Sequence, residues 1–168
     1  MKRTICVVAC LMMVIIFGFT GCSKDDNGFS QEQLAYFEMN REFIREKKEL
    51  KGEDGTPLYK QLIVSGDTTL YRVLSKVGDE TKYPTSQTKI DLLLKGDLIN
   101  GSNFQKEMEM SYAPAQLILG LQKILLENSL GETVEAIIPA TLAYGYWNDQ
   151  PVLAGSTLIF TYTLKKFN

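Results

Sequence analysis

The segment Thr157–Leu164 alternates without a break, with Leu158, Phe160, Tyr162 and Leu164 on one face and Thr157, Ile159, Thr161 and Thr163 on the other. A period of two is a strand, and an apolar face of that width has to be covered by a second layer. Glu132–Ile138 repeats the pattern with Val134, Ala136 and Ile138. Leu58–Ser65 and Leu70–Val77 are short, β-branched and aromatic, with Gly66-Asp67 between them. Thr88–Ile99 reads as a longer strand, and Asn100-Gly101 is a tight hairpin signal before the return at Ser102–Phe104.

The covering layer is a helix. Leu117, Ile118, Leu121, Ile124 and Leu125 form one helical stripe, Pro114 suits its first turn, and Gly131 marks its end. Hairpins, one helix and further strands predict an α+β domain over residues 58–168, a twisted antiparallel sheet packed on one central helix. A second, N-terminal helix is expected over Phe29–Leu50, where Leu34, Phe37, Arg41 and Ile44 fall at helical spacing. Gly52–Pro57 breaks it, so residues 29–57 form a helical extension with its linker. Its single narrow stripe must lie either on its own domain or on a second copy, which would make residues 29–51 a homodimer contact.

What the chain lacks narrows the chemistry. Its 168 residues contain no histidine, which removes histidine triads, histidine bases and histidine metal ligands. Cys6, Cys10 and Cys22 all precede the folded body, so no thiol nucleophile or disulfide framework lies within it. A net charge of −2 without a basic block argues against nucleic acid as a partner. Glu107 and Glu109 have neither a basic partner nor metal-ligand spacing, and no glycine-rich phosphate loop occurs. No metal and no cofactor is expected.

The N-terminus reads as an address. Lys2 and Arg3 precede an apolar run, Ile5–Phe19, that is shorter than the ~20 residues a membrane span needs. Phe19-Thr20-Gly21-Cys22 resembles a bacterial lipobox, with Phe19 where leucine is usual. That resemblance implies a signal peptide over residues 1–21, acylation of Cys22 and a tether over 22–28. Ser23-Lys24-Asp25-Asp26-Asn27 is similar to the export signal of surface lipoproteins in Bacteroidetes. The expected location is the cell envelope, as an outer-membrane lipoprotein that faces the surface or the periplasm, with the lipid as its membrane contact.

The body carries a further resemblance. Leu117-Ile118-Leu119-Gly120-Leu121, Leu130-Gly131, Ile138-Pro139-Ala140-Thr141-Leu142-Ala143-Tyr144-Gly145 and Val152–Phe160 follow the order of blocks in the FKBP-type peptidyl-prolyl isomerases. Upstream, Ile90–Gly96 and Leu98–Phe104 resemble that family's V-x-V-x-Y-x-G strand and L-x-D-G-x-x-F turn. The resemblance implies an FKBP-like fold and a prolyl pocket lined by Phe104, Leu117, Ile118, Leu121, Tyr144, Val152 and Phe160. It implies proline-containing polypeptides as partners and, with the anchor, a folding helper for exported proteins. Leu94 stands where the family usually has a pocket tyrosine, Gln105 where it has an aspartate, and Leu121 where it has a tryptophan. The stretch from Phe104 to Leu117 is short, which implies a curtailed strand with Met110 or Tyr112 standing in for a lost aromatic. These departures imply a weak isomerase; the alternative is a peptide- or protein-binding module that has lost catalysis.

Overall fold

The computed structural model describes residues 28–79, 81–147 and 152–167. The signal peptide, Cys22, all of the tether but Gly28, and Pro151 lie outside the described residues. Along the chain run α1 (Gln31–Glu49), β1 (Lys60–Val64), β2 (Asp67–Lys76), β3 (Ile90–Leu98) and β4 (Asn103–Tyr112). They are followed by α2 (Leu119–Leu125), β5 (Glu132–Ile138) and β6 (Leu158–Phe167). The strands form one sheet in the order β1-β2-β5-β6-β3-β4, and every neighbouring pair is antiparallel. The α+β architecture and the two-fold alternation are both as the sequence predicts.

The alternation sorts side chains between two cores. Val134, Ala136 and Ile138 of β5 join Leu158, Phe160, Tyr162 and Leu164 of β6 on the face covered by Leu121, Ile124 and Leu125 of α2. On the opposite face Tyr59, Leu70 and Ile137 are buried, with Phe43, Ile44 and Ile159 packed against them. Phe43 and Ile44 belong to α1, so the N-terminal helix lies on its own domain. Its start is fixed by a capping box: the Ser30 hydroxyl accepts from the Gln33 N–H at 3.2 Å, and the Gln33 side chain accepts from the Ser30 N–H at 2.9 Å.

Three expectations need correction. The helix predicted from Pro114 is interrupted: Pro114–Gln116 is a separate 3₁₀ turn, and Leu117 and Ile118 are extended before α2 begins. The carboxamide of Gln122 reaches back to the Leu117 carbonyl at 2.7 Å, satisfying a group that a continuous helix would have bonded internally. Gly131 does not end the helix, which stops at Leu125; it takes φ +86° in the turn that opens β5. Nor is β4 curtailed, because it runs for ten residues and pairs with β3 from Tyr112 back to Asn103. The economy lies in the connection, where Ala113 alone separates β4 from the Pro114 turn.

A buried polar chain fastens the end of the sheet away from the hairpin. Tyr162 donates to the Asn128 side-chain oxygen Oδ1 at 2.8 Å, and the Asn128 side-chain amide donates to Glu132 at 3.0 Å. Glu132 also accepts from the Ser129 N–H at 3.1 Å and pairs with Lys76 at 3.3 Å. Burial pushes the Glu132 carboxyl up, but Asn128, Ser129 and Lys76 outweigh it and hold the pKa below the ordinary value. A folded-state value below the unfolded one stabilises the fold fully above pH about 4.3, and this is lost as the pH falls through the lower folded-state value. Urea midpoints measured from pH 7 down to pH 3 should therefore drop in acid. Glu132→Gln should be less stable than wild type at pH 7 and show a shallower acid limb; parallel curves would show that Glu132 does not contribute in this way.

Candidate functional site

Phe160 is the centre of the site, and its neighbours are small. In the sheet register it faces Gly96 of β3 on one side and Ala136 of β5 on the other. The room above Gly96 is filled from β4 by Phe104, whose ring meets Phe160 edge to face, centroids 5.6 Å apart at 80°. A Cβ on Gly96 would stand 2.6 Å from the Phe104 ring and 3.0 Å from Gln105. The glycine is therefore what lets the Phe104 ring lie across β3.

The hairpin is bent around this point. The β3–β4 register shifts on both sides of Gly96, as bulges do where a side chain is re-aimed. The Asn103 amide holds the bend, donating to the Gly96 carbonyl at 3.0 Å, to the Gln105 carbonyl at 2.9 Å and to the Asp97 carboxylate at 2.9 Å. Burial raises the Asp97 pKa, yet Asn103 and Lys95, which pairs at 2.9 Å, leave it below its ordinary value.

The remaining site residues come from three segments. Leu121 is carried by α2, and Leu117 and Ile118 by the extended turn before it. Tyr144 follows the 3₁₀ turn Ala140–Leu142, which is closed by Gly145 N–H donating to the Ala140 carbonyl at 2.8 Å. Val152 begins the segment leading into β6. Leu94, Leu121, Val152 and Phe160 are buried, while Phe104, Leu117, Ile118 and Tyr144 are half-buried against the same cluster. All eight belong to the main hydrophobic cluster, and within it Phe104 and Phe160 are in direct ring contact. The Gln105 side-chain amide donates to the Lys106 carbonyl at 3.1 Å. Met110 packs on the cluster and Tyr112 is exposed, so of the two only Met110 adds apolar surface.

The sequence reading did not assign Gly96 and Ala136 to the site. A glycine within an apolar strand is the one signal that pointed there. The described residues contain no group of side chains able to hold a metal. The Tyr144 hydroxyl has no hydrogen-bond partner among the described residues, which leaves a donor at the half-buried rim of an apolar surface.

Comparison with known proteins agrees with this geometry. Residues 80–165 match the profile of the FKBP-type peptidyl-prolyl cis-trans isomerases. The FKBP-type peptidyl-prolyl cis-trans isomerase FkpA of Buchnera aphidicola subsp. Schizaphis graminum (strain Sg) is 30% identical over 95 residues, covering 54% of this chain and 38% of that protein. The chain therefore spans well under half the length of that relative. The crystal structure of a peptidyl-prolyl cis-trans isomerase from Pseudomonas syringae pv. tomato str. DC3000 superposes with a TM-score of 0.66 at 20% identity, over 81% of this chain and 96% of that one. That of FkpA from Escherichia coli gives 0.66 at 22% identity, over 82% of this chain and 63% of that one. The structural likenesses establish the fold, and the profile spans more than half of the sequence, from before β3 to within β6. This chain belongs to the FKBP-type peptidyl-prolyl cis-trans isomerase family.

Proposed function

We propose that the protein is a lipid-anchored peptidyl-prolyl cis-trans isomerase that assists the folding of exported, proline-containing polypeptides. The observation that carries the reading is the edge-to-face pair of Phe104 and Phe160 above Gly96, in the hydrophobic cluster to which the half-buried Tyr144 also belongs. An X-Pro bond is held by amide resonance, behind a barrier of about 18–20 kcal/mol. Rotation breaks no covalent bond and needs no acid or base. The planar amide is strongly dipolar and the twisted one much less so, so an apolar cluster favours the transition state over the ground state. The aromatic pair holds the pyrrolidine ring, and Tyr144 donates to a carbonyl of the bound segment to fix its orientation. A thousandfold acceleration asks for only about 4 kcal/mol of such differential binding.

Leu94, Leu121 and Gln105 supply fewer polar and aromatic contacts than the family usually has. We therefore expect slow turnover of short peptides and better turnover of refolding proteins, which bind through more surface. The same three residues favour a second reading, a binding module without catalysis. Acylation at Cys22 would hold either protein at the envelope.

Two substitutions and one anchor variant test these statements. Tyr144→Phe should lower kcat/KM about tenfold, the loss of one hydrogen bond worth roughly 1–1.5 kcal/mol, with little change in the unfolding midpoint. Gly96→Ala should overpack the Phe104 ring, destabilise the domain by about 1–3 kcal/mol and lower kcat/KM as well. Unchanged isomerisation kinetics in both variants would remove the assigned site. A folded wild-type chain that binds proline peptides without accelerating them would establish the binding module instead. Cys22→Ser should move the chain from the membrane fraction to the soluble one, and retention in the membrane fraction would count against the lipid anchor.

A further inference from the structure

We propose that α1 is a positioning element of the prolyl site, holding the two flanks of chain that carry Tyr144 and Val152, with Asn40 as its central positioning residue. The inference rests on the isomerase site proposed above. Three contacts run along one face of the helix. Phe37 meets the Tyr146 ring at 4.8 Å and 69°. Phe37 also covers Gly155, where φ is +76° and where any Cβ would run into the phenylalanine ring. The Tyr36 and Ser156 hydroxyls are hydrogen-bonded at 2.9 Å, and Ser156 donates onward to the Leu153 carbonyl at 2.6 Å.

Asn40 makes the decisive contacts. It is 2% exposed, on the buried stripe of an otherwise charged helix. Its side-chain oxygen accepts from the Thr157 N–H at 2.7 Å, its backbone carbonyl accepts from the Thr157 hydroxyl at 3.2 Å, and its amide donates to the Tyr36 carbonyl at 2.9 Å. Thr157 immediately precedes β6, so its N–H lies outside the strand ladder. An apolar residue at position 40 could fill the space but could not satisfy that buried N–H. Asn40 thereby fixes one register of the helix against this segment.

The two flanks are themselves tied, because the Gly155 N–H donates to the Gly145 carbonyl at 2.9 Å. Tyr144 is one residue from Gly145, Val152 three from Gly155 and Phe160 three from Thr157. Contacts made by a helix on the far face of the sheet therefore set the placement of three side chains of the site, none of which it needs to touch.

The test uses the full chain in mild detergent, with Asn40→Ala and the gentler Tyr36→Phe, which removes a single hydroxyl. Three quantities are read: KM and kcat for a Leu-Pro tetrapeptide, the peptide's Kd by titration, and hydrogen exchange at the Gly155 amide beside that of Ala136 in β5. Both variants should raise KM and Kd three- to tenfold with kcat within twofold. Gly155 exchange should rise about tenfold in Asn40→Ala while Ala136 stays protected. Faster exchange at Gly155 with unchanged KM and Kd would make α1 a scaffold only and overturn the proposal, as would unchanged exchange. If the wild type binds the peptide without turning it over, the isomerase reading fails alone, and Kd with exchange still decides the role of α1. Should Asn40→Ala not fold, Tyr36→Phe decides it by the same readouts.

Discussion

β6 has to serve two cores and two neighbours at once, and the rest of the molecule is arranged around that demand. It is hydrogen-bonded along β5 on one side and β3 on the other. Its even-numbered side chains from Leu158 to Leu164 lie under α2, while Ile159 packs toward α1 on the opposite face. A slip of one residue would exchange these faces and bury the threonines in the main core, so both layers specify the same register. That register places Phe160 between Gly96 and Ala136, the one row where flanking side chains are small enough for two aromatic rings to meet. The aromatic pair is thus a consequence of strand pairing.

The elements that were legible in the sequence are those whose pattern is local. β5 and β6 alternate cleanly, and Asn100-Gly101 turns the β3–β4 hairpin where expected, with Gly101 at φ +82°. The break before α2 was not legible, because Leu117, Ile118, Leu121, Ile124 and Leu125 fit an uninterrupted helix as well as the extended turn that forms. What decides between them is tertiary: extended backbone lets Leu117 and Ile118 pack on the main cluster, and Gln122 compensates the Leu117 carbonyl. The stripe on α1 likewise announced a buried face without saying what covers it. Asn40 reads as an interruption of that stripe until its partner, Thr157, is placed beside it by the fold. Of the site, the aromatic and aliphatic lining could be carried over by resemblance, whereas the role of Gly96 depends on a close approach that no single-sequence pattern encodes.

The polar groups of the domain are kept apart from the apolar cluster that the site uses. At one end of the sheet, Glu132 is committed to Asn128, Ser129 and Lys76. On the α1 face, the Tyr59 hydroxyl donates to Glu135 at 2.5 Å, and Arg72 binds the same carboxylate at 2.8 Å. Burial first, and then the neighbouring Glu135 carboxylate, push the Tyr59 phenol far above its ordinary value, so it stays a neutral donor. Glu132, the buried charge among the described residues, is paired, which is the condition for keeping it inside. At the hairpin Lys95 pairs with Asp97, and the neutral Gln105 amide donates to the Lys106 backbone carbonyl.

This separation gives two tyrosines of the same cluster opposite roles. Tyr162 and Tyr144 both belong to the hydrophobic cluster that contains Phe160. The Tyr162 side chain is fully buried and its hydroxyl is already committed to Asn128, so its hydrogen bond fastens β6 to the turn before β5 and is not offered to a ligand. Tyr144 stands at the half-buried edge, after a turn whose backbone groups are internally satisfied, with its hydroxyl unengaged among the described residues. A donor in that position can form its hydrogen bond with a bound carbonyl without first breaking one inside the protein, and it does so where the surroundings are apolar and the bond is correspondingly stronger. On the isomerase reading proposed above, the reaction moves no proton and breaks no covalent bond, so it calls on an apolar clamp and one uncommitted donor. The shape of the clamp then matters more than the acidity of any group, and that shape is set by Gly96 on one side of Phe160 and by the grip of α1 on the Gly155–Thr157 segment on the other.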